Sequence, residues 1–343
     1  MIKSHFTFAF LFLMAGAVSL TSCSSDSSSE SGTLDIPAYK SVSAIYQITQ
    51  ASSQYSSIEF TESGNYIVTK KSSYNAPARR SVAEINSIFS NPWSMAETRS
   101  TSYGNIITGK YTVDGNKYTL EGFGTITVVT SGDTAVSLEI AETGSSSYTL
   151  TAAKNTQKAG SENTTKLCRS WRIASLGLKA SMKIKDSNNN LQSYDFDKTV
   201  SGGNLAELMS AFYGNMIKWA AKISNQAGEN VTQEMIDQQI KSQDEKIRSA
   251  YKTVETCLFS QAGTYMVTYG DKSLAIATWA WKNDKQDVLQ YSWNYANMNS
   301  NVSGSCDISF KGNKCIMTEE TNLSDGSIQN MNITITYTLE EIK

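Results

Sequence analysis

The segment CLFSQAGTYMVTY, Cys257 to Tyr269, occurs twice, and its earlier copy is IEFTESGNYIVTK, Ile58 to Lys70. A shift of 199 positions superposes Phe60 on Phe259, Gly64 on Gly263, Tyr66 on Tyr265, Val68 on Val267 and Thr69 on Thr268. Each copy reads as strand, glycine turn, strand: an alternating run, a Gly free to take positive φ, then a second alternating run rich in Tyr, Ile and Val. The match continues where Lys110–Lys117 aligns with Thr278–Lys285, and it closes on Tyr148-Thr149-Leu150 against Tyr337-Thr338-Leu339. The chain is expected to be two diverged copies of one β unit, giving a mainly β fold of two tandem antiparallel up-and-down domains.

A length of 343 residues leaves each copy enough chain for its own core. Charge excludes one class of partner. Without Lys3 of the leader described below, 29 basic residues face 32 acidic ones, a balance of −3 with no basic stripe, so no nucleic-acid partner is expected. The single histidine, His5, also lies in that leader. The mature chain therefore lacks His general bases, Ser/His and Cys/His nucleophile pairs and His-x-x-x-His zinc motifs. No phosphate-binding Gly loop, Cys-x-x-Cys or Gly-x-Ser-x-Gly is present. We expect no enzyme, no cofactor and no metal.

Residues 1–22 combine Lys3, an apolar run from Phe6 to Val18 and small residues, the pattern of a secretory signal. The run is shorter than the ~20 apolar residues that a membrane span needs. Leu20-Thr21-Ser22-Cys23 resembles the lipobox of bacterial lipoproteins, whose Cys is acylated and becomes the first mature residue. That resemblance implies lipidation at Cys23 and a place in the bacterial cell envelope, anchored in the outer membrane on its periplasmic or outer face. Residues 23–37, rich in Ser, form a solvated tether with a reach of roughly 20 Å.

The expected domains are 38–153, then a polar linker 154–166, then 167–343 with a helical insertion at 204–255. In the first domain, Ser81-Val82-Ala83-Glu84 reads as a capping box opening a short helix stopped by Pro92. In the insertion, Leu205, Leu208, Met209, Phe212, Met216, Trp219, Ala220 and Ile223 recur at helical spacing up to Gly228. A second helix from about Thr232 carries Ile236, Ile240, Ile247, Tyr251 and Val254 on its apolar side, with Asn230 as the expected cap. Asp186, Asn188, Asn190 and Asp197 fall at calcium-loop positions, but Leu191 stands where Gly is required and strands flank the loop, so a hairpin turn is expected instead.

Besides Cys23 there are Cys168, Cys257, Cys306 and Cys315. A turn at Gly312-Asn313 sets Phe310 opposite Cys315 and Cys306 opposite Glu319, which is out of disulfide range for the two cysteines. Two readings stay open: four buried thiols, or at least one disulfide involving Cys168 or Cys257. Glu319-Glu320 and Glu340-Glu341 are neighbours on strands, so the members of each pair point to opposite faces and do not form a catalytic dyad.

The run of hairpins, the Trp171 near the start of the second copy and the Phe-x-x-x-Gly-x-Tyr turn resemble the lipocalin-like domains of bacterial lipoproteins. The family commonly has Gly two residues before the Trp, where this chain has Arg169, and the helical hairpin is an addition. What the resemblance implies is a closed or half-closed antiparallel barrel in each domain, with room for a pocket. The aromatic hairpin Ala277–Tyr295 is the place for one. In the first copy a turn at Gly115-Asn116 pairs Val113 with Tyr118 and Tyr111 with Leu120. In the second, a three-residue loop at Asn283–Lys285 pairs Trp279 with Leu289 and turns Trp279, Trp281, Leu289, Tyr291 and Trp293 inward. Such a wall suits a small apolar molecule or a glycan, although the same residues also serve simply as core. The expected role is a membrane-anchored binding module. The alternative is a structural or accessory subunit that meets an envelope protein partner.

Overall fold

A computed structural model describes residues 44–71, 106–130, 135–156, 161–186, 190–272, 274–293, 302–323 and 329–342. Cys23, the tether and the helix expected after Ser81 lie outside the described residues. Eight strands form the first barrel: β1 (Ala44–Ile48), β2 (Tyr55–Phe60), β3 (Asn65–Lys70), β4 (Ile106–Asp114), β5 (Lys117–Leu120), β6 (Gly124–Thr130), β7 (Ala135–Glu142) and β8 (Tyr148–Thr156). Each pairs with the next, and β1 against β8 closes the ring. Alternation turns Tyr46, Ile58, Phe60, Val68, Ile126, Leu138, Ile140 and Leu150 into one buried core.

The second barrel repeats this plan with one insertion. Its strands are β9 (Ser170–Lys185), β10 (Leu191–Ser201), β11 (Val254–Phe259), β12 (Thr264–Tyr269), β13 (Leu274–Trp281), β14 (Val288–Trp293), β15 (Val302–Lys311), β16 (Lys314–Leu323) and β17 (Gln329–Glu341). The long β9 pairs with β17 along one edge and with β11 through Ser170–Arg172 at the start of the other, closing eight strands. The rest of that second edge is occupied by β10. Strand β10 then leads into α2 (Leu205–Gln226) and α3 (Gln233–Ala250), before the chain returns to the ring at β11. The insertion thus sits between the strands that correspond to β1 and β2.

Helix α2 buries a wide face, including Leu208, Met209, Phe212, Met216 and Ile223, in the same core as Met182 and Tyr194 of β9 and β10. Its N-cap is Asn204, whose side chain accepts from Glu207 N. Helix α3 buries only Ile247 within its own span, and Tyr251 and Val254 follow it inward. Its cap is Thr232, which accepts from Met235 N, and not Asn230 as expected, because the chain reaches helical geometry two residues later. The expected linker 154–166 is also partly structured. Strand β8 runs to Thr156, and α1 (Glu162–Leu167) starts at the Ser161 cap.

The duplication is visible in the backbone. Phe60 faces Tyr66 and Phe259 faces Tyr265, and a bulge interrupts both hairpins, at Tyr55/Ser57 and at Val254/Thr256. Gly64 and Gly263 take φ of 74° and 86° in the intervening turns, a region that favours glycine. Asn65 pairs with Lys110 as Thr264 pairs with Thr278, which reproduces the second sequence match.

The two barrels meet through equivalent surfaces. Ile67 of β3 is buried with Leu258 and Met266 of β11 and β12, while Ile106, Leu274 and Ile276 pack around them. Ile67 corresponds to Met266 under the repeat, so each copy offers the same outer face to the other. Burying side chains of this size contributes about 1.5–3 kcal/mol each. Asn65 Nδ2 donates to Ser170 Oγ across the seam at 3.0 Å.

Candidate functional site

The hairpin of β13 and β14 faces the interior as expected, but with another register. Trp281 lies opposite Leu289 and Trp279 opposite Tyr291, because the connection is longer than three residues and Lys282 N bonds to Val288 O. Asn283 stabilises that longer loop: its side chain donates to Asp287 Oδ1 at 2.6 Å and accepts from the Val288 amide. The difference is two residues, an even number, so the facing is preserved. Trp279, Leu289 and Tyr291 are buried, and Trp281 is half-buried. Trp293 ends β14 opposite Val302, and its side chain lies outside what is described.

Aromatic rings fill the space these residues face. Phe259 stacks on Tyr265 at 4.4 Å, and Trp279 meets Phe259 edge-on at 6.0 Å and Trp281 edge-on at 5.5 Å. The indole N–H groups are used within the fold. Trp279 Nε1 donates to Ser260 O at 2.9 Å, and Trp281 Nε1 donates to Thr164 Oγ1 of α1 at 2.9 Å.

One polar group stands among these rings. Glu319 of β16 is buried and accepts from Tyr291 Oη at 2.6 Å and from Tyr337 Oη at 3.2 Å. A buried carboxylate is costly unless hydrogen-bonded, and phenol donors to an anion are among the stronger bonds a side chain makes. Its neighbours feel it: burial first, and then Glu319, pushes the Tyr337 phenol and the Cys306 thiol well above their ordinary values. Glu320, next in sequence, is exposed on the other face.

The first barrel contains the counterpart. Glu142 Oε1 accepts from Tyr55 Oη at 2.8 Å and from Tyr148 Oη. Tyr148 pairs with Ile140 and Tyr337 with Met317, and Glu142 and Glu319 each stand two residues further along the paired strand, so the two carboxylates are equivalent by register. The sequence offset alone does not find the pair, because six positions before Tyr337 stands Met331. Burial, then Glu142, raises the Tyr148 phenol to about 12.

The four described cysteines are buried, and none of them forms a disulfide. Phe310 faces Cys315 as expected, and desolvation holds each thiol above its ordinary value. Asp186 caps a hairpin turn by accepting from the Asn190 amide at 2.8 Å, while Asp197 pairs with Lys179. Among the described residues no group of three His, Cys, Asp or Glu is placed to hold a metal. Nor is any helix there long and apolar enough to cross a membrane. A cleft of about 730 Å³ between α2 and α3 is lined by Lys218, Lys222, Asn225, Gln226, Gln233 and Ile236.

No protein-family model matches the sequence, and no curated protein matches it. Among solved structures, a protein of unknown function from the DUF3598 family of Nostoc punctiforme aligns over 88% of this chain and 94% of its own. Its identity is 6% and its TM-score 0.14, so this similarity carries no argument about function.

Proposed function

We propose that the chain is a lipid-anchored accessory protein of a bacterial envelope, whose two barrels are packed scaffolds that meet a protein partner through their outer surfaces. The observation that supports this reading is where the interior donors go. Trp279 Nε1, from β13, closes the preceding glycine turn on Ser260 O, and Tyr111 Oη, from β4, does the same on Thr61 O at 2.9 Å in the other barrel. A side chain with the same task in both copies serves the fold. The lipobox ending at Cys23 supports the anchor, and the absence of histidine from the mature chain supports a non-catalytic role. Crosslinking the anchored protein in intact envelopes tests the proposal: a defined envelope protein captured with empty barrels is expected, and a small molecule retained in native mass spectra with no protein captured would overturn it.

A second reading, a binding module for a small apolar molecule or a glycan, is favoured by the half-buried Trp281, which sets its ring 5.5 Å from Trp279. Quenching of tryptophan emission by a member of an apolar or glycan panel would support it over the first.

A further inference from the structure

Glu59 stands on the outer face of β2, at the seam between the barrels, where the repeat places Leu258 in the other copy. Its side chain is 4% exposed. Oε2 accepts from Thr264 Oγ1 of β12 at 2.7 Å, and Oε1 has no hydrogen-bond partner. A carboxylate buried this deeply with one oxygen unbonded is badly placed to hold a charge.

We propose that the seam is a proton-operated latch, closed while Glu59 is uncharged and loosened when Glu59 ionises.

The surroundings support this assignment. From β3, β4, β12 and β13 the packed groups are the apolar Ile67, Ile106, Met266, Leu274 and Ile276. The hydroxyls of Ser260 and Thr264 are the groups that favour the anion, and desolvation outweighs them, so the carboxyl is held above its ordinary range. Arg169, which acts on the same Cys168 thiol as Glu59, pairs with Glu341 at 2.9 Å. Glu62 and the Cys168 thiol are further titratable groups of this region, and both carboxylates act on that thiol. The sign follows. A carboxyl whose value is raised in the closed form binds its proton more tightly there than when the seam opens. Closure is therefore fully favoured below the ordinary carboxylate range and is lost as pH rises through the raised value.

Spin labels on Lys117→Cys and Lys311→Cys, exposed sites of the two barrels, read the seam in the mature chain. Distance distributions should show one separation at pH 4. Above the ordinary carboxylate range a second, broader population should grow, its ratio to the first rising by up to tenfold per pH unit until the raised value is passed. Glu59→Gln and Glu59→Leu should both remain in the first population at every pH, the second because it restores the residue that the other copy uses. A wild-type distribution that does not change with pH overturns the latch. So does a pH response that persists in Glu59→Gln.

Discussion

Tyr111 and Trp279 perform one task in two barrels: each donates from the tip of its ring to the carbonyl that opens the preceding glycine turn, Tyr111 Oη to Thr61 O and Trp279 Nε1 to Ser260 O, both at 2.9 Å. Their backbones agree as well, since Tyr111 N bonds to Gly64 O and Trp279 N to Gly263 O. A phenol and an indole reach the same acceptor because both carry a donor at the end of a flat apolar body.

Tyr111→Phe keeps the ring and removes this bond. It should destabilise the first barrel by about 0.5–1.5 kcal/mol, with more lost if the Thr61 carbonyl stays dry. Urea unfolding measures it, and an unchanged midpoint would show that water replaces the phenol.

The phenols that face Glu142 should titrate late. Tyr148 is held near 12 by burial and by Glu142, and Tyr213 reaches about 12 by burial alone. The folded state then keeps protons that the unfolded state releases from about pH 10 upward. Stability should fall over that interval, and tyrosinate absorbance should rise in two stages, the second coinciding with unfolding. A single stage near pH 10 in the folded protein would contradict these environments.

The thiols should be silent in the native state. With Cys168, Cys257, Cys306 and Cys315 all buried and none in a disulfide, the form with Cys23→Ser should show no reaction with a polar thiol reagent until denatured, and four equivalents afterwards. Two equivalents after denaturation would mean that a disulfide forms.

The anchor has its own test. Cys23→Ala should release the protein from membranes or leave it unprocessed, and labelled palmitate still incorporated in that variant would refute acylation at Cys23.

Much of the fold could be read from the repeat. Two matches, shifted by 199 and by 168 positions, reappear as equal strand registers because glycine turns and alternating faces fix pairing locally. What escaped was non-local. Nothing in Ser170–Lys185 shows that one edge of that strand is shared between β10 and β11, since a shared edge leaves the alternation unchanged. The loop after Trp281 is longer than the three residues expected because Asn283 holds it through side-chain bonds to Asp287 and Val288. Glu319 lies on the face opposite Glu320, as alternation predicts, but its tyrosine partners lie on β14 and β17, brought together by the barrel. Glu59 gave no signal, because a charge on an outer strand face reads as solvated until a second domain covers it.

The central claim is that the aromatic interior of the second barrel is core. It is tested most directly by Trp279→Ala, with stability and ligand response measured on the same variant. A packed Trp whose indole also closes a turn should cost about 3–5 kcal/mol on truncation, and no apolar or glycan panel should alter the tryptophan emission of the parent protein. Near-parental stability in Trp279→Ala, together with a ligand that shifts the parental emission and fails to bind the variant, would contradict the account.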